Sequence, residues 1–120
     1  TAYIAEKMRY TRERPSASKV FANELLHGAD HLQNHLKTEL KDLVEDKAAV
    51  IDSWIKQGRI RKVDPVHLFF LIWAMTQTYA DFDVQIAAVL GKPAITPEDF
   101  GDAENMIGQT ILATCGLLAK

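Results

Sequence analysis

Asp64-Pro-Val-His-Leu-Phe-Phe-Leu-Ile-Trp-Ala-Met-Thr-Gln-Thr-Tyr-Ala-Asp-Phe82 is the stretch that decides the fold. From Val66 to Met75 every position is apolar except His67, with no clean alternation of period 2, so it reads as helix. Asp64 is placed to accept from the free N–H groups at the helix start, and Pro65 fits the first turn. A surface helix needs one apolar stripe, whereas this one must be covered almost all round. A chain of 120 residues has few helices with which to do so. An intermolecular interface, most simply an isologous dimer, is expected to supply the remaining cover.

Outward from this helix the same period continues. The fourth helix is expected to run to about residue 90, with Gly91 as its stop. Thr96-Pro97-Glu98-Asp99 then opens a fifth helix, with Thr96 as N-cap and acidic residues at its positive end, continuing to the end of the chain. Upstream, Leu32, Leu36, Leu40, Leu43, Val44, Val50, Ile51, Trp54 and Ile55 form a stripe at steps of three and four over about 30–57, closed by Gly58. Lys47 interrupts it, with a stem long enough to lie along apolar surface. A second helix spans about 16–27 before Gly28. The first runs to about 14, where Pro15 disfavours helical geometry in its predecessor. The connections are short, so neighbouring helices are expected to be antiparallel.

In the last helix Phe100, Ala103, Ile107, Ile111, Thr114 and Leu118 form one face, and Gly101, Gly108, Leu112, Cys115 and Gly116 an adjoining one. Glycine costs about 1 kcal/mol inside a helix, so these glycines need a reason. Close approach of another helix backbone is one, either within the chain or from a second copy. The expected dimer residues are Phe69, Ile72, Phe100, Gly101, Ile107, Gly108, Ile111, Leu112 and Cys115.

Composition narrows the function. Fourteen Lys and Arg stand against sixteen Asp and Glu, a net charge of −2, which argues against direct nucleic-acid binding. A single cysteine excludes an internal disulfide framework and a Cys-rich zinc module. No segment reaches the ~18–20 apolar residues of a membrane span, so no membrane partner and a cytoplasmic location are expected. Thr1 is not an initiator methionine and stands at the start of a helical pattern without a cap. The natural N-terminus is therefore expected to lie further upstream, with processing or a cloning scar as the alternative.

Other signals carry less. His31, His35 and Glu39 have helical ligand spacing, but Leu32, Leu36 and Leu40 define the buried face, so no metal is expected. The basic runs 7–14 and 56–62 read as solvated helix ends. Asp81 and Asp83, two residues apart, diverge on a helix. Cys115 stands among apolar neighbours, and no phosphate loop, nucleophile elbow or metalloprotease motif occurs, so no enzyme and no cofactor are expected.

The 64–82 stretch strongly resembles the C-terminal domain of tetracycline-repressor-like (TetR-family) regulators. Lys41-Asp-Leu-Val-Glu-Asp-Lys-Ala-Ala-Val-Ile-Asp-Ser-Trp-Ile-Lys-Gln-Gly58 and Pro15-Ser-Ala-Ser-Lys-Val-Phe-Ala-Asn-Glu-Leu-Leu26 are similar too. The resemblance covers about 1–91, and 92–120 match only as a terminal helix in the right place. It implies an all-α, five-helix effector-binding and dimerisation domain over residues 1–120. Its last two long helices would form a four-helix dimer interface, and DNA would be read by a helix-turn-helix domain absent from this chain.

Trp73 and Gln77, four residues apart, share a helix face with Phe70. An indole beside a primary amide suits a flat polar heterocycle, by stacking and by a donor and an acceptor side by side. The members of the family that the chain resembles answer to pyrimidines. The resemblance thereby implies uracil or thymine as effector at Trp73 and Gln77, with Phe70, Tyr79 and Phe21 as further lining. The alternative is a helical dimerisation or protein-interaction module without a small-molecule ligand.

Overall fold

Pro15 separates the first two helices as its chemistry requires: Arg14 before it adopts φ −132°, ψ 53°, outside the helical region. The computed structural model describes residues 2–28 and 33–117, and among these it contains six helices and no strand. They are α1 (Ala2–Glu13), α2 (Pro15–Leu26), a composite α3, α4 (Pro65–Asp81), α5 (Asp83–Leu90) and α6 (Pro97–Thr114). α3 runs through Gln33–His35, a π-helical turn Leu36–Leu40, and Lys41–Lys56. Leu32 and Leu118, and the helical residues expected at 30–32 and 118–120, lie outside the described residues.

The local signals for helix ends hold. Asp64 Oδ1 accepts from the backbone N–H groups of Val66 and His67, both at 3.1 Å. Thr96 and Asp99 form a reciprocal capping box, the Thr96 hydroxyl accepting from Asp99 N–H and the Asp99 carboxylate from Thr96 N–H. Gly58 and Gly91 take φ of +74° and +71°, each followed by an N–H that reaches back five residues, Arg59 to Trp54 and Lys92 to Ala87.

The expected five helices are corrected to six, because the fourth breaks at Phe82 (φ −122°, ψ 32°). The cause is tertiary. The Ser18 hydroxyl of α2 donates to Asp81 at 2.6 Å, and the next residue, Lys19, lies 2.6 Å from Asp83. On an unbroken helix Asp81 and Asp83 point about 200° apart, so both reach adjacent residues of α2 only if the axis turns between them. The last two helices are therefore not a pair of long ones, since α5 has 8 residues and α6 has 18. α6 also stops short of the end expected for it: Gly116 at φ +74° closes it, with Leu117 N–H returning to the Leu112 carbonyl at 2.8 Å.

α4 is the hub, packing against α1, α2, α3, α5 and α6. The core joins Ile4 and Met8 of α1, Leu68 and Ile72 of α4, and Ala103, Ile107, Ile111 and Cys115 at α6. The molecule measures 46 × 42 × 18 Å, so its thin dimension is scarcely two helices deep. Its radius of gyration, 15.8 Å, exceeds the ~13.6 Å expected of a globular chain of this length. A slab of this kind leaves apolar side chains exposed on its faces, among them Leu71, Phe82, Val84, Val89 and Met106.

Candidate effector site

Three polar ties set the geometry around α4. The Trp73 indole N–H donates to the Tyr3 hydroxyl of α1 at 2.9 Å. Two turns along α1 the buried Thr11 hydroxyl donates to the Thr76 carbonyl at 3.2 Å, while the Thr76 hydroxyl donates back to Ile72. The third tie is Ser18 to Asp81. The Tyr3 ring meets Phe69 edge-on at 5.5 Å, and Lys47 of α3 lays its ammonium 5.0 Å from the Tyr3 ring centre. Trp73 is thus held by residues of α1 in a fixed rotamer.

Gln77 stands four residues after Trp73 and four before Asp81, on the face that carries both ties. Its side chain is half-buried and makes no hydrogen bond among the described residues. An amide offers two donors and an acceptor, so this one is open on every count. On α1, Lys7 lies midway between Tyr3 and Thr11. Its ammonium is half-buried and has no ion pair or hydrogen bond among the described residues. Burial pushes its pKa below the usual lysine value, and the Asp81 charge pulls partly the other way. A half-buried indole and amide one turn apart can stack a flat ring and hydrogen-bond its edge.

The other expected lining residues separate. The Phe70 ring lies 5.5 Å from Trp73 and 5.2 Å from His67, with much of it exposed. Phe21 is half-buried on α2, one turn beyond Ser18. Tyr79 is on the other flank of α4, in a cavity of about 500 Å³ with Ile86, Val89, Ala103 and Met106. A second cavity of about 410 Å³, lined by Trp54, Ile60, Leu68, Ile111 and Cys115, contains neither Trp73 nor Gln77. Tyr3 and Ser18 tie α1 and α2 to the face of α4 that carries Trp73 and Gln77, and were not singled out for it from sequence. The available signal was Tyr3, Lys7 and Thr11 recurring every fourth residue beside Ile4 and Met8.

Of the residues expected at a dimer seam, Phe69, Ile72, Ile107, Ile111 and Cys115 are buried within the chain, and Phe100 and Leu112 are half-buried. Burial also raises the Cys115 thiol pKa, disfavouring the reactive thiolate. Gly101 and Gly108 line an open groove of about 260 Å³ with Leu112 and Ile4, and a Cβ added at either meets nothing within 4 Å. Among the described residues no neighbour therefore demands a glycine at these two positions.

His35 Nδ1 lies 2.9 Å from Glu39, while His31 is outside the described residues, among which no group of three candidate metal ligands occurs. No described helix is long and apolar enough to cross a membrane.

The chain was compared with known proteins. The family described as "YcdC-like protein, C-terminal region" matches residues 1–118. The HTH-type transcriptional regulator RutR of Escherichia coli K12 is 46% identical over 89 residues, which is 74% of this chain and 42% of the relative. The RutR proteins of Escherichia coli O157:H7 and Shigella flexneri match at the same identity and coverage. The chain thus spans 42% of the length of these curated relatives, all of them regulators of transcription and not enzymes. With an all-helical bundle and a match over nearly its whole length, the chain belongs to the TetR family, as a YcdC-like C-terminal region.

Proposed function

We propose that this domain senses a pyrimidine such as uracil or thymine at Trp73 and Gln77, and couples its occupancy to DNA binding by a separate helix-turn-helix domain. The observation that carries the reading is the unpartnered, half-buried amide of Gln77, one turn from an indole held in place by Tyr3. The imide edge of uracil, C=O beside N–H, complements that amide, and the ring stacks on the indole. Resemblance to pyrimidine-responsive members of the family supports the same choice. Each hydrogen bond contributes about 1 kcal/mol net, with stacking adding a comparable amount.

The test is a calorimetric titration with uracil and thymine, with a thermal-shift series beside it. A ligand that binds only the folded form raises the melting temperature of the parent. Trp73→Ala and Gln77→Ala should each weaken binding by roughly fivefold or more. Unchanged affinity in both variants removes the assignment.

The domain also works as a homodimer in this reading. Support comes from the open glycine groove of α6, with Gly101, Gly108 and Leu112, and from apolar side chains exposed on a slab 18 Å thick. Sedimentation at rising protein concentration tests it, and a monomer throughout would remove the dimer.

A further inference from the structure

The apolar stripe of α3 does not close on the core along its whole length. Lys47, Val50, Ile51 and Trp54, at helical steps i, i+3, i+4 and i+7, share one face of α3 and line the cavity of about 410 Å³. Val50 and Trp54 are 49% and 38% exposed, whereas Leu68, Ile72 and Ile111 on the other walls are buried. The cavity thus has an accessible rim on α3 and a floor in the core. An apolar space of this kind forgoes dispersion contacts that the body of a ligand would restore.

Among the described residues that line the cavity, Lys47 alone is charged. Its ammonium lies 5.0 Å from the centre of the Tyr3 ring, which borders the same space. A ring face attracts an ammonium without giving its N–H donors an oxygen acceptor. The lysine that interrupts an apolar stripe in the sequence is therefore the single cation on an otherwise uncharged wall.

We infer that this cavity is a second ligand site, separate from Trp73 and Gln77, and that it takes a small amphiphilic monoanion. The apolar body of a medium-chain carboxylate lies between α3 and the core, and its carboxylate meets the Lys47 ammonium. At ~30 Å³ for a group of water's size, about 410 Å³ holds about thirteen such groups, enough for a chain of about eight to ten carbons and its carboxylate. A neutral headgroup forfeits the charge-assisted hydrogen bond, and a cationic one meets a like charge.

Trp54 and Trp73 are the two tryptophans of the chain, so Trp73→Phe leaves Trp54, on the cavity wall, as the sole indole. The experiment follows Trp54 emission in that background during titration with octanoate, 1-octanol and octylammonium. It is repeated with Lys47→Met, Lys47→Gln or Gln77→Ala added, and a melting curve without ligand establishes that each protein is folded. The expected result is a saturable response, with octanoate bound tighter than octanol and octylammonium weakest. Both Lys47 variants should lose roughly fivefold or more in affinity for octanoate and keep that for octanol. Gln77→Ala should leave octanoate binding within about twofold. No saturable response to octanoate overturns the site, and an octanoate affinity indifferent to Lys47 overturns the choice of an anion. Loss of octanoate binding in Gln77→Ala overturns the separation of the two sites. Failure of uracil and thymine to bind removes the pyrimidine reading and leaves this site standing.

Discussion

Along the contact of α1 with α4, Ile4, Met8, Leu68 and Ile72 are at most 5% exposed, and the polar groups of Tyr3, Thr11, Trp73 and Thr76 pair with one another or with backbone. Across the outer side of α5 and α6, Val84, Val89 and Met106 are 67–84% exposed. Each region includes a strongly apolar helix, α4 in one and α5 in the other, yet in the first the apolar side chains are buried and in the second they are exposed. The first contact borders a cavity of about 410 Å³ lined by Ile4, Leu68 and Ile72, which is the scale of a small molecule. The open side is interrupted over several turns, which is the scale of another protein surface. Where cover is missing, its extent separates a ligand site from an assembly surface.

The harshest way to break this comparison is truncation at each side. Ile72→Ala removes a buried side chain at the hub and should lower stability by about 2–5 kcal/mol in urea denaturation. Val84→Ala, measured in dilute protein, should fall within about 0.5 kcal/mol of the parent. Comparable losses in the two variants would erase the distinction between the regions.

A smaller effect is expected at the hydroxyl that joins the sealed contact. Thr11→Val keeps the shape and deletes the bond to the Thr76 carbonyl, for a loss of about 1 kcal/mol in the same assay. No loss would show that burial alone holds α1 against α4.

Gly108→Ala sharpens the other side because its two consequences have opposite sign. The added methyl meets nothing within the chain, so the monomer should gain up to about 1 kcal/mol of helix stability. The same methyl stands in the groove offered to a second copy, so the dimer should weaken in sedimentation. A dimer of undiminished affinity would move the seam away from that groove.

The mildest expectation concerns acid. The Asp99 carboxyl is lowered from 3.8 to about 2, first by the Lys92 ammonium 2.8 Å away and then by the backbone N–H and hydroxyl of Thr96. A carboxyl whose folded pKa is depressed stabilises the fold fully above its unfolded pKa and loses that contribution as the pH falls through the folded one. Melting curves of the parent and of Asp99→Asn should therefore differ above about pH 4 and converge toward pH 2. A constant difference across that window would remove the ionised carboxylate as the cause.

Sequence reading reached the features set by neighbours along the chain. Asp64, Thr96, Gly58 and Gly91 end helices through their own backbone chemistry, and all four were legible. Trp73 and Gln77 fell on one face because helical spacing puts them there. The break at Phe82 was not legible, since its cause is a hydroxyl and an ammonium on α2, with Ser18 and Asp81 separated by 63 positions. The α1 partner of Trp73 was missed for the same reason: Tyr3 and Trp73 are 70 positions apart, and no local pattern announces their pairing. The glycines of α6 signalled close approach, but which side of the helix stays open depends on how Ile107 and Ile111 seat it.

The three ties between the first two helices and α4 join residues 70, 65 and 63 positions apart. During synthesis the first helices emerge well before the hub that completes them. At ~5–20 residues per second, Ile4 and Met8 wait on the order of 3–14 s for Leu68 and Ile72. Through that interval an oily stripe is uncovered on a nascent chain, in need of shelter from other nascent chains. The order of its helices therefore makes this domain a late closer, whose first segment is the last to find its place.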